Sequence, residues 1–140
     1  MDRKTFDIAV IGGGPGGYVA AIRAAASGQS VALIESGNLG GVCLNWGCIP
    51  TKTLIANAHA LHLIQDADRF GITTGPVKFD YSKMKGRKDS IVKEIRTSLE
   101  GLIRAHKVQI IRGFAKFDDT YALKVTGEES CVIDADRIIM

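Results

Sequence analysis

The 140-residue sequence contains only three cysteines and no long apolar run. Three thiols are too few for a framework of several disulfides or for a zinc site with four thiolate ligands. The first apolar run, Ile8 to Ile11, stops at a glycine, and no charged-then-apolar signal pattern precedes it. We therefore expect no secretory or membrane-spanning segment and, by default, a cytoplasmic location in a reducing compartment.

The sequence also has no large excess of charge of either sign. Its net charge is +3, and its 46% hydrophobic and 24% charged composition is typical of a soluble globular domain. Nothing in this balance requires a polyanionic partner. We expect one ordinary domain with a real core.

The first 35 residues have the pattern of a βαβ unit. Thr5 to Ile11 and Ser30 to Glu35 are short apolar runs typical of buried strands. Between them, an alanine-rich helix is predicted from Tyr18 to Ser27, and Gly28 closes it. Six residues, Gly12 to Gly17, connect the first strand to this helix, and we call them the glycine turn.

The glycine turn matches the dinucleotide-binding fingerprint at Gly12, Gly14 and Gly17. The first glycine permits the tight turn, the second lets the backbone approach a pyrophosphate, and the third lets the helix lie close to the sheet. Glu35 ends the second strand, where its carboxylate is placed to accept hydrogen bonds from an adenosine ribose. The alternative is a tight strand-to-helix connection that binds no ligand. The fingerprint does not distinguish a flavin from a nicotinamide dinucleotide.

Residues 40 to 52, Gly-Gly-Val-Cys-Leu-Asn-Trp-Gly-Cys-Ile-Pro-Thr-Lys, form what we call the disulfide segment. Cys43 and Cys48 are five positions apart, and a local disulfide needs their Cα atoms within about 7 Å. In a regular helix that spacing gives about 8 to 9 Å. The helix therefore cannot be regular at Cys43, whereas Pro50 fits the first turn of a helix that starts near Cys48.

The two thiols differ in their expected surroundings. Cys48 precedes a helix whose positive end favours a thiolate, and Lys52 can add a full positive charge from the same face. Cys48 is therefore the better candidate for a stabilised thiolate. The alternative is a pair of core cysteines without redox function.

Two helices are predicted in the middle of the chain. The first runs from about Thr51 to Ala67, and the second, from Tyr81 to Lys107, is weakened by Gly86 and Gly101. The apolar positions that we expect to pack are Leu54, Ala58, Leu61 and Ile64 in the first helix, and Met84, Ile91, Ile95, Leu99 and Leu102 in the second.

Two polar features of these helices, a histidine pair and a basic segment, can each be interpreted as structural or as functional. His59 and His62 could form a metal pair, but no carboxylate completes the site, so we expect no metal. Ser82 to Lys107 carries eight Lys or Arg and three acids. This basic helix could contact nucleic acid, but its charges alternate with the apolar stripe, so a solvated face is favoured.

The last third of the sequence alternates between short apolar runs and turn residues. Val108 to Arg112 reads as a strand, and an antiparallel meander is predicted to follow it. Its runs are Phe114 to Phe117, Tyr121 to Val125, Cys131 to Ile133 and Arg137 to Met140. Cys131 is interpreted as a small core residue. Because the sequence stops within an apolar run, we expect a fragment, truncated before its last strand is complete.

The glycine turn, Glu35 and the disulfide segment together resemble the flavoprotein disulfide reductases, the class I pyridine nucleotide-disulfide oxidoreductases, over the entire chain. Leu44 and Ile49 make the chain most similar to the dihydrolipoamide dehydrogenases within that family. Val42 stands where family members often have threonine, which removes a hydroxyl near the expected flavin. The resemblance implies an α/β fold, a doubly wound three-layer FAD/NAD(P)-binding domain with an antiparallel meander.

The resemblance also implies a set of roles. The dinucleotide would be FAD, with Glu35 on its ribose, Gly41 to Cys43 along it, Lys52 near flavin N5 and the backbone of Ala115 at the adenine. Cys48 would face the isoalloxazine and Cys43 would exchange with substrate. Electrons would pass from a dihydrolipoamide dithiol through the cysteine pair and FAD to NAD.

The family places its NAD-binding domain, its dimerisation domain and a catalytic His-Glu pair beyond the residues matched here. The resemblance thus implies that residues 1–140 are the N-terminal part of the FAD-binding domain and are inactive alone. The full protein would be a homodimer acting on lipoyl groups of 2-oxo acid dehydrogenase complexes, with no nucleic-acid or membrane partner. Another disulfide or mercuric reductase is the alternative enzyme, and a non-catalytic nucleotide-binding or partner-binding module is the alternative of another class.

Overall fold

The computed structural model describes residues 2–140. The chain forms a six-stranded mixed sheet flanked by helices. In chain order the elements are β1 (Asp2–Ile11), α1 (Pro15–Ala26), β2 (Val31–Glu35), α2 (Gly41–Asn45), α3 (Cys48–Gln65), a 3₁₀ turn (Ala67–Phe70), α4 (Tyr81–Ala105), β3 (Gln109–Arg112), β4 (Phe114–Asp119), β5 (Ala122–Thr126) and β6 (Cys131–Ile139).

The strand order is β3-β2-β1-β6-β5-β4. The strands from β3 to β6 in this order run parallel to one another, and β5 is antiparallel to both β6 and β4. Apolar residues fill both faces of the parallel strands, as their unbroken hydrophobic runs predict. One face packs against α1 and α4, and the other packs against apolar residues of the meander strands. The predicted α/β class, with three layers and a meander, is confirmed.

The meander has three strands, and the prediction of four short runs was wrong at its end. Residues 131–139 form one strand because β6 pairs with β1 over almost its whole length, from Asp2 opposite Cys131 to Val10 opposite Ile139. Asp134 falls between two of the predicted runs. It is instead held within the strand by Arg3 Nη2, which donates to its Oδ1 at 2.8 Å and helps to hold the pKa of the carboxyl below its usual range.

The two central helices differ from their predicted forms in bounds and in buried faces. α3 begins at Cys48, as the position of Pro50 indicated, rather than at about Thr51 as its apolar pattern indicated, and it ends at Gln65. α4 is continuous through Gly86 and Gly101, where an added Cβ would meet open space, so neither glycine marks a break.

The predicted packing stripes were only partly right. In α4 the sheet-facing residue near the end is Ile103, whereas Ile95 and Leu102 are exposed. In α3, Thr53 is buried while Ala58 and Ile64 are exposed. The reason is that each helix carries more apolar residues than its single packing seam covers, so periodicity alone does not fix which ones face inward.

Candidate functional site

The glycine turn contains backbone contacts that are too close to leave room for a side chain. Gly12 has φ of +99°, and its N–H donates to the Ile34 carbonyl at 2.8 Å. A Cβ on Gly17 would lie 1.8 Å from the Gly12 carbonyl oxygen, so α1 approaches the turn as closely as backbone permits. The steric reasons predicted for the first and third glycines of the fingerprint therefore hold in the structure.

The outer side of the turn is suited to an anion. α1 begins at Pro15, its N-cap residue Gly14 makes no side-chain capping bond, and its first turn contains no acid. A Cβ on Gly12 or Gly16 would meet no atom within 4 Å, so the space in front of the helix is open. Free amide donors and the positive end of a helix are what a pyrophosphate requires, and these residues fit a bound dinucleotide.

Glu35 connects the glycine turn to the loop that follows β2. Its Oε2 accepts from the Gly13 N–H and its Oε1 accepts from the Gly37 N–H, both at 2.7 Å. Each carboxylate oxygen has a second lone pair, so both retain capacity for a ribose hydroxyl. The predicted ribose contact therefore stays a prediction that the observed hydrogen bonds permit.

Two neighbouring cavities open at this carboxyl edge of the sheet, the edge at which ligands bind in open α/β folds. The smaller, of about 90 Å³, is lined by Gly12, Glu35 and Ala115 together with residues of β1, β2 and β4. The larger, of about 720 Å³, extends from Glu35 to α4 and the β5–β6 connection. The fold thus brings together Gly12 of the fingerprint with Glu35 and Ala115, the two residues that the resemblance assigned to the adenosine, although all three are far apart in the sequence.

The disulfide segment contains a short helix, a break and the start of a long helix. Cys43 lies in α2, which ends at Asn45, and Cys48 is the first residue of α3. The two cysteines form a disulfide, and their Cα atoms are 4.7 Å apart. The expectation that no regular helix spans the pair is confirmed, because the break at Trp46 and Gly47 brings the thiols together.

The disulfide segment is packed directly against the glycine turn. The Gly40 N–H donates to the Gly13 carbonyl at 2.7 Å. Gly41 has φ of +58°, and a Cβ there would lie 2.8 Å from the Gly14 Cα. Two glycines therefore permit a backbone-to-backbone contact that sets α2, and Cys43 within it, beside the glycine turn.

The remaining predicted residues lie at the surface of this site. Val42, Cys48 and Lys52 are exposed, and Cys43 is half-buried. Cys48 opens the 18-residue helix α3, whose first turn holds no acid and whose N-cap residue makes no side-chain capping bond. The helix end is thus free to favour a thiolate at Cys48. Neither Val42 nor Lys52 lines the two cavities at the sheet edge.

The third cysteine and the histidine pair stand apart from the site. Cys131 is buried among the meander residues, and burial raises the pKa of its thiol, as a structural role predicts. His59 and His62 are exposed on α3. Among residues 2–140, no group of three or more His, Cys, Asp or Glu could hold a metal ion. In the same residues, no helix has the length and apolarity needed to cross a membrane.

Sequence reasoning missed four side chains that support the site. Asn45 donates to the carbonyls of Leu39 and Gly41, and Arg96 donates to the Asn45 oxygen. Arg112 joins Glu100 of α4 to the Gly37 carbonyl, both at 3.1 Å. The sequence held one signal for these side chains, which was the position of Asn45 between the two cysteines. The two α4 residues were expected on a solvated face, but both are half-buried.

Comparison with known proteins agrees with this geometry. The family model of the pyridine nucleotide-disulphide oxidoreductases matches residues 6–140. The chain belongs to this family. It is 47% identical over 137 residues to a dihydrolipoyl dehydrogenase of Chlamydia muridarum, covering 98% of this chain and 30% of that protein.

Two further dihydrolipoyl dehydrogenases give similar values. The protein from Geobacillus stearothermophilus is 46% identical over 121 residues, which cover 86% of this chain and 26% of the relative. The protein from Staphylococcus aureus is 46% identical over 124 residues, which cover 89% of this chain and 26% of the relative. The chain therefore spans about a quarter to a third of the length of the curated relatives it matches.

Proposed function

We propose that the chain is the FAD-binding and disulfide-bearing portion of a dihydrolipoamide dehydrogenase. The contact between Gly41 and Gly14 is the observation that carries this proposal, because it sets the disulfide beside a turn built for a dinucleotide phosphate. A cysteine pair with only a structural role would not need to lie at the mouth of such a site. The high similarity to dihydrolipoyl dehydrogenases favours this enzyme over another disulfide or mercuric reductase.

The residues that would hold FAD fall into three groups. Gly12, Gly14, Gly17 and the start of α1 would bind the pyrophosphate, and Glu35 and the Ala115 backbone would bind the adenosine. Gly41, Val42, Cys43 and Lys52 would lie along the flavin end. When bound, FAD would supply an acceptor for two electrons, and these would pass as hydride to NAD held by a separate domain.

The cysteine pair would carry out thiol–disulfide exchange with dihydrolipoamide. One substrate thiolate attacks Cys43 Sγ, forms a mixed disulfide and releases the Cys48 thiolate. The second substrate thiol then displaces Cys43 and closes the lipoamide disulfide, so that the substrate loses two electrons and the protein gains two. The uncapped N-terminus of α3 and the charge of Lys52 would stabilise Cys48 as the leaving thiolate.

The proposal makes FAD binding the first property to test. Purified chain is mixed with FAD and desalted, and flavin absorbance and fluorescence are measured on the protein fraction. We expect retained yellow absorbance and quenched fluorescence. In Gly41→Ala, whose Cβ would enter the contact with Gly14, retention should fall, while Gly75→Ala, which has open space in a distant loop, should behave as the parent. Complete loss of flavin from the parent chain would contradict the proposal.

Thiol titration separates the redox proposal from a non-catalytic module. The oxidised, unfolded chain should show one reactive thiol, that of Cys131, and mild reductant should release two more. The Cys43→Ser, Cys48→Ser double variant should show one thiol under both conditions. Three free thiols in the oxidised parent would favour a binding module without redox chemistry.

We further propose that the chain alone does not turn over, since it spans only about 30% of its relative from Chlamydia muridarum. The complete protein would act as a homodimer on lipoyl groups of 2-oxo acid dehydrogenase complexes, and its cytoplasmic location stays a prediction. Lipoamide-dependent reduction of NAD should be absent with the chain and present with the longer protein. Turnover by the chain itself would overturn this part of the proposal.

A further inference from the structure

Arg96 contacts the disulfide segment from a helix fifty-one residues away in sequence. Its Nη1 donates to Asn45 Oδ1 at 3.3 Å, and both side chains are half-buried. Asn45 Nδ2 in turn donates to the Leu39 carbonyl at 3.0 Å and the Gly41 carbonyl at 2.9 Å. Asn45 therefore joins α4 to the backbone on either side of Gly40, the residue whose N–H donates to the glycine turn.

The orientation of the Asn45 amide is fixed by these partners. Its nitrogen faces carbonyl oxygens, which only accept, and its oxygen faces a guanidinium, which only donates. A flipped amide would place donor against donor and acceptor against acceptor. Arg96 thus satisfies the one part of Asn45 that the local backbone leaves unpaired within this network.

α2 depends on such contacts because it cannot hold itself in place. It has five residues, and Gly40, its N-cap residue, makes no side-chain capping bond. A helix of this length is not stable in isolation, since nucleation costs more than one turn of hydrogen bonds returns. In the oxidised chain the disulfide fixes α2 to α3, whereas in the reduced chain the burial of Leu44, the backbone contact with the glycine turn and the Asn45 network remain.

We propose that Arg96 is a positioning residue for the redox pair, which acts through Asn45 to keep Cys43 facing Cys48 when the disulfide is open. Holding two thiols close raises their effective concentration for each other and so favours the disulfide. This inference deepens the proposed function and rests on it for its biological meaning. The experiment that tests this inference needs neither flavin nor lipoamide. The inference can therefore fail while the proposed function holds, and the reverse is also possible.

The experiment measures the equilibrium between the chain and glutathione. Two glutathione thiols reduce the Cys43–Cys48 disulfide and form one glutathione disulfide, and the protein thiols are trapped by alkylation and counted by mass. Arg96→Leu should shift the equilibrium toward the reduced chain by about tenfold, the loss expected for a hydrogen bond with a charged donor, or about 30 mV for two electrons.

A matched control exists on the same helix. Arg87 Nη1 donates to Asn57 Oδ1 at 3.1 Å, so it also joins α4 to an asparagine, but that asparagine lies nine residues beyond Cys48. Arg87→Leu removes the same charge and the same type of bond, and it should leave the equilibrium unchanged. Arg96→Lys keeps the charge and the aliphatic stem, so it should give a smaller shift than Arg96→Leu. If circular dichroism shows that Arg96→Leu does not fold, Arg96→Lys takes its place in the comparison.

A double variant tests the route through Asn45. Asn45→Ala should shift the equilibrium at least as far as Arg96→Leu, and adding Arg96→Leu to it should change nothing further. An unchanged equilibrium in the folded Arg96 variants would overturn the proposal. Equal shifts in Arg87→Leu and Arg96→Leu, or additive shifts in the double variant, would do the same.

Discussion

The glycine turn and the disulfide segment lie in contact, but they are held in shape by different means. The turn is fixed by backbone: Gly17 and Gly12 meet where no Cβ fits, and the flanking strands are buried. The disulfide segment meets the turn through the backbone of Gly40 and Gly41, and side chains fix the rest of it, namely one covalent bond, the buried Leu44 and the network of Asn45. The first is a rigid backbone surface, whereas the second contains a covalent bond that reduction would open.

This difference teaches how a reactive site combines rigidity with chemistry. A phosphate-binding turn needs fixed amide donors and gains nothing from motion. A redox pair must separate by more than an ångström when its bond opens, so its support has to come from contacts that survive that change. Glu35 lies between the two, since its carboxylate accepts from Gly13 of the turn and from Gly37 on the way to the segment.

The largest effect should come from a methyl group in the glycine turn. In Gly17→Ala the new Cβ would overlap the Gly12 carbonyl oxygen at 1.8 Å, so backbone must shift. We expect the free energy of unfolding to fall by about 3 kcal/mol, measured by urea denaturation. Gly16→Ala has open space and a helical position, and should be neutral or slightly stabilising. Equal effects of the two substitutions would show that the turn is not fixed by its backbone.

Reduction of the disulfide should have the next largest effect. The bond closes a loop with a sequence separation of five, and cross-linking so short a loop contributes about 2 kcal/mol in the chain-entropy description. Adding dithiothreitol should therefore lower the free energy of unfolding of the parent chain by that amount. The Cys43→Ser, Cys48→Ser double variant should not respond. A parent that is equally stable in both states would mean that side-chain contacts alone fix the segment.

Glu35→Gln should have an intermediate effect. A glutamine oxygen can accept from only one of the two amide groups in this geometry, so the N–H of Gly13 or Gly37 loses its partner. We expect a loss of about 1.5 kcal/mol in urea denaturation. Glu128→Gln, an exposed carboxylate on the wall of the larger cavity, should change stability by less than about 0.5 kcal/mol. A neutral Glu35→Gln would show that the turn and the segment are not joined through this carboxylate.

The smallest effect should appear in the pH dependence of stability. The Arg104 side chain, which donates to Glu100, and the nearby Arg112 hold the pKa of the Glu100 carboxyl below its usual range. The folded chain thus binds this proton less readily than the unfolded chain. The contribution is fully present above the unfolded pKa and declines as pH falls through the folded pKa, that is, below about pH 4.5.

Glu100→Gln should remove about 0.5 kcal/mol of stability at neutral pH, as expected for partly exposed ion pairs. It should also flatten the acid limb of the stability curve, measured by thermal unfolding between pH 3 and pH 6 at constant ionic strength. Glu94→Gln, on the exposed face of the same helix, should leave that limb unchanged. An acid limb that Glu100→Gln does not alter would mean that the link from α4 to the Gly37 loop is not electrostatic.

Much of the site followed from sequence because its requirements are local. The geometry of the glycine turn, the break between Cys43 and Cys48 and the helix start near Pro50 all depend on neighbours within a few residues. The continuity of β6 through Asp134 did not follow, because its partner Arg3 is 131 positions away. The buried seam of α4 was misassigned at Ile95 and Leu102 for the same reason, since the packing surface belongs to other elements.

The sequence by itself determined the βαβ unit, the candidate cofactor class and which two cysteines pair, because each depends on residue type and short spacing. Only the tertiary structure decided that Gly41 meets Gly14, that Glu35 holds two backbone amides and that Arg96 reaches Asn45. Those contacts join segments from different parts of the chain. Their geometry is set by how the layers pack, and no local pattern encodes it.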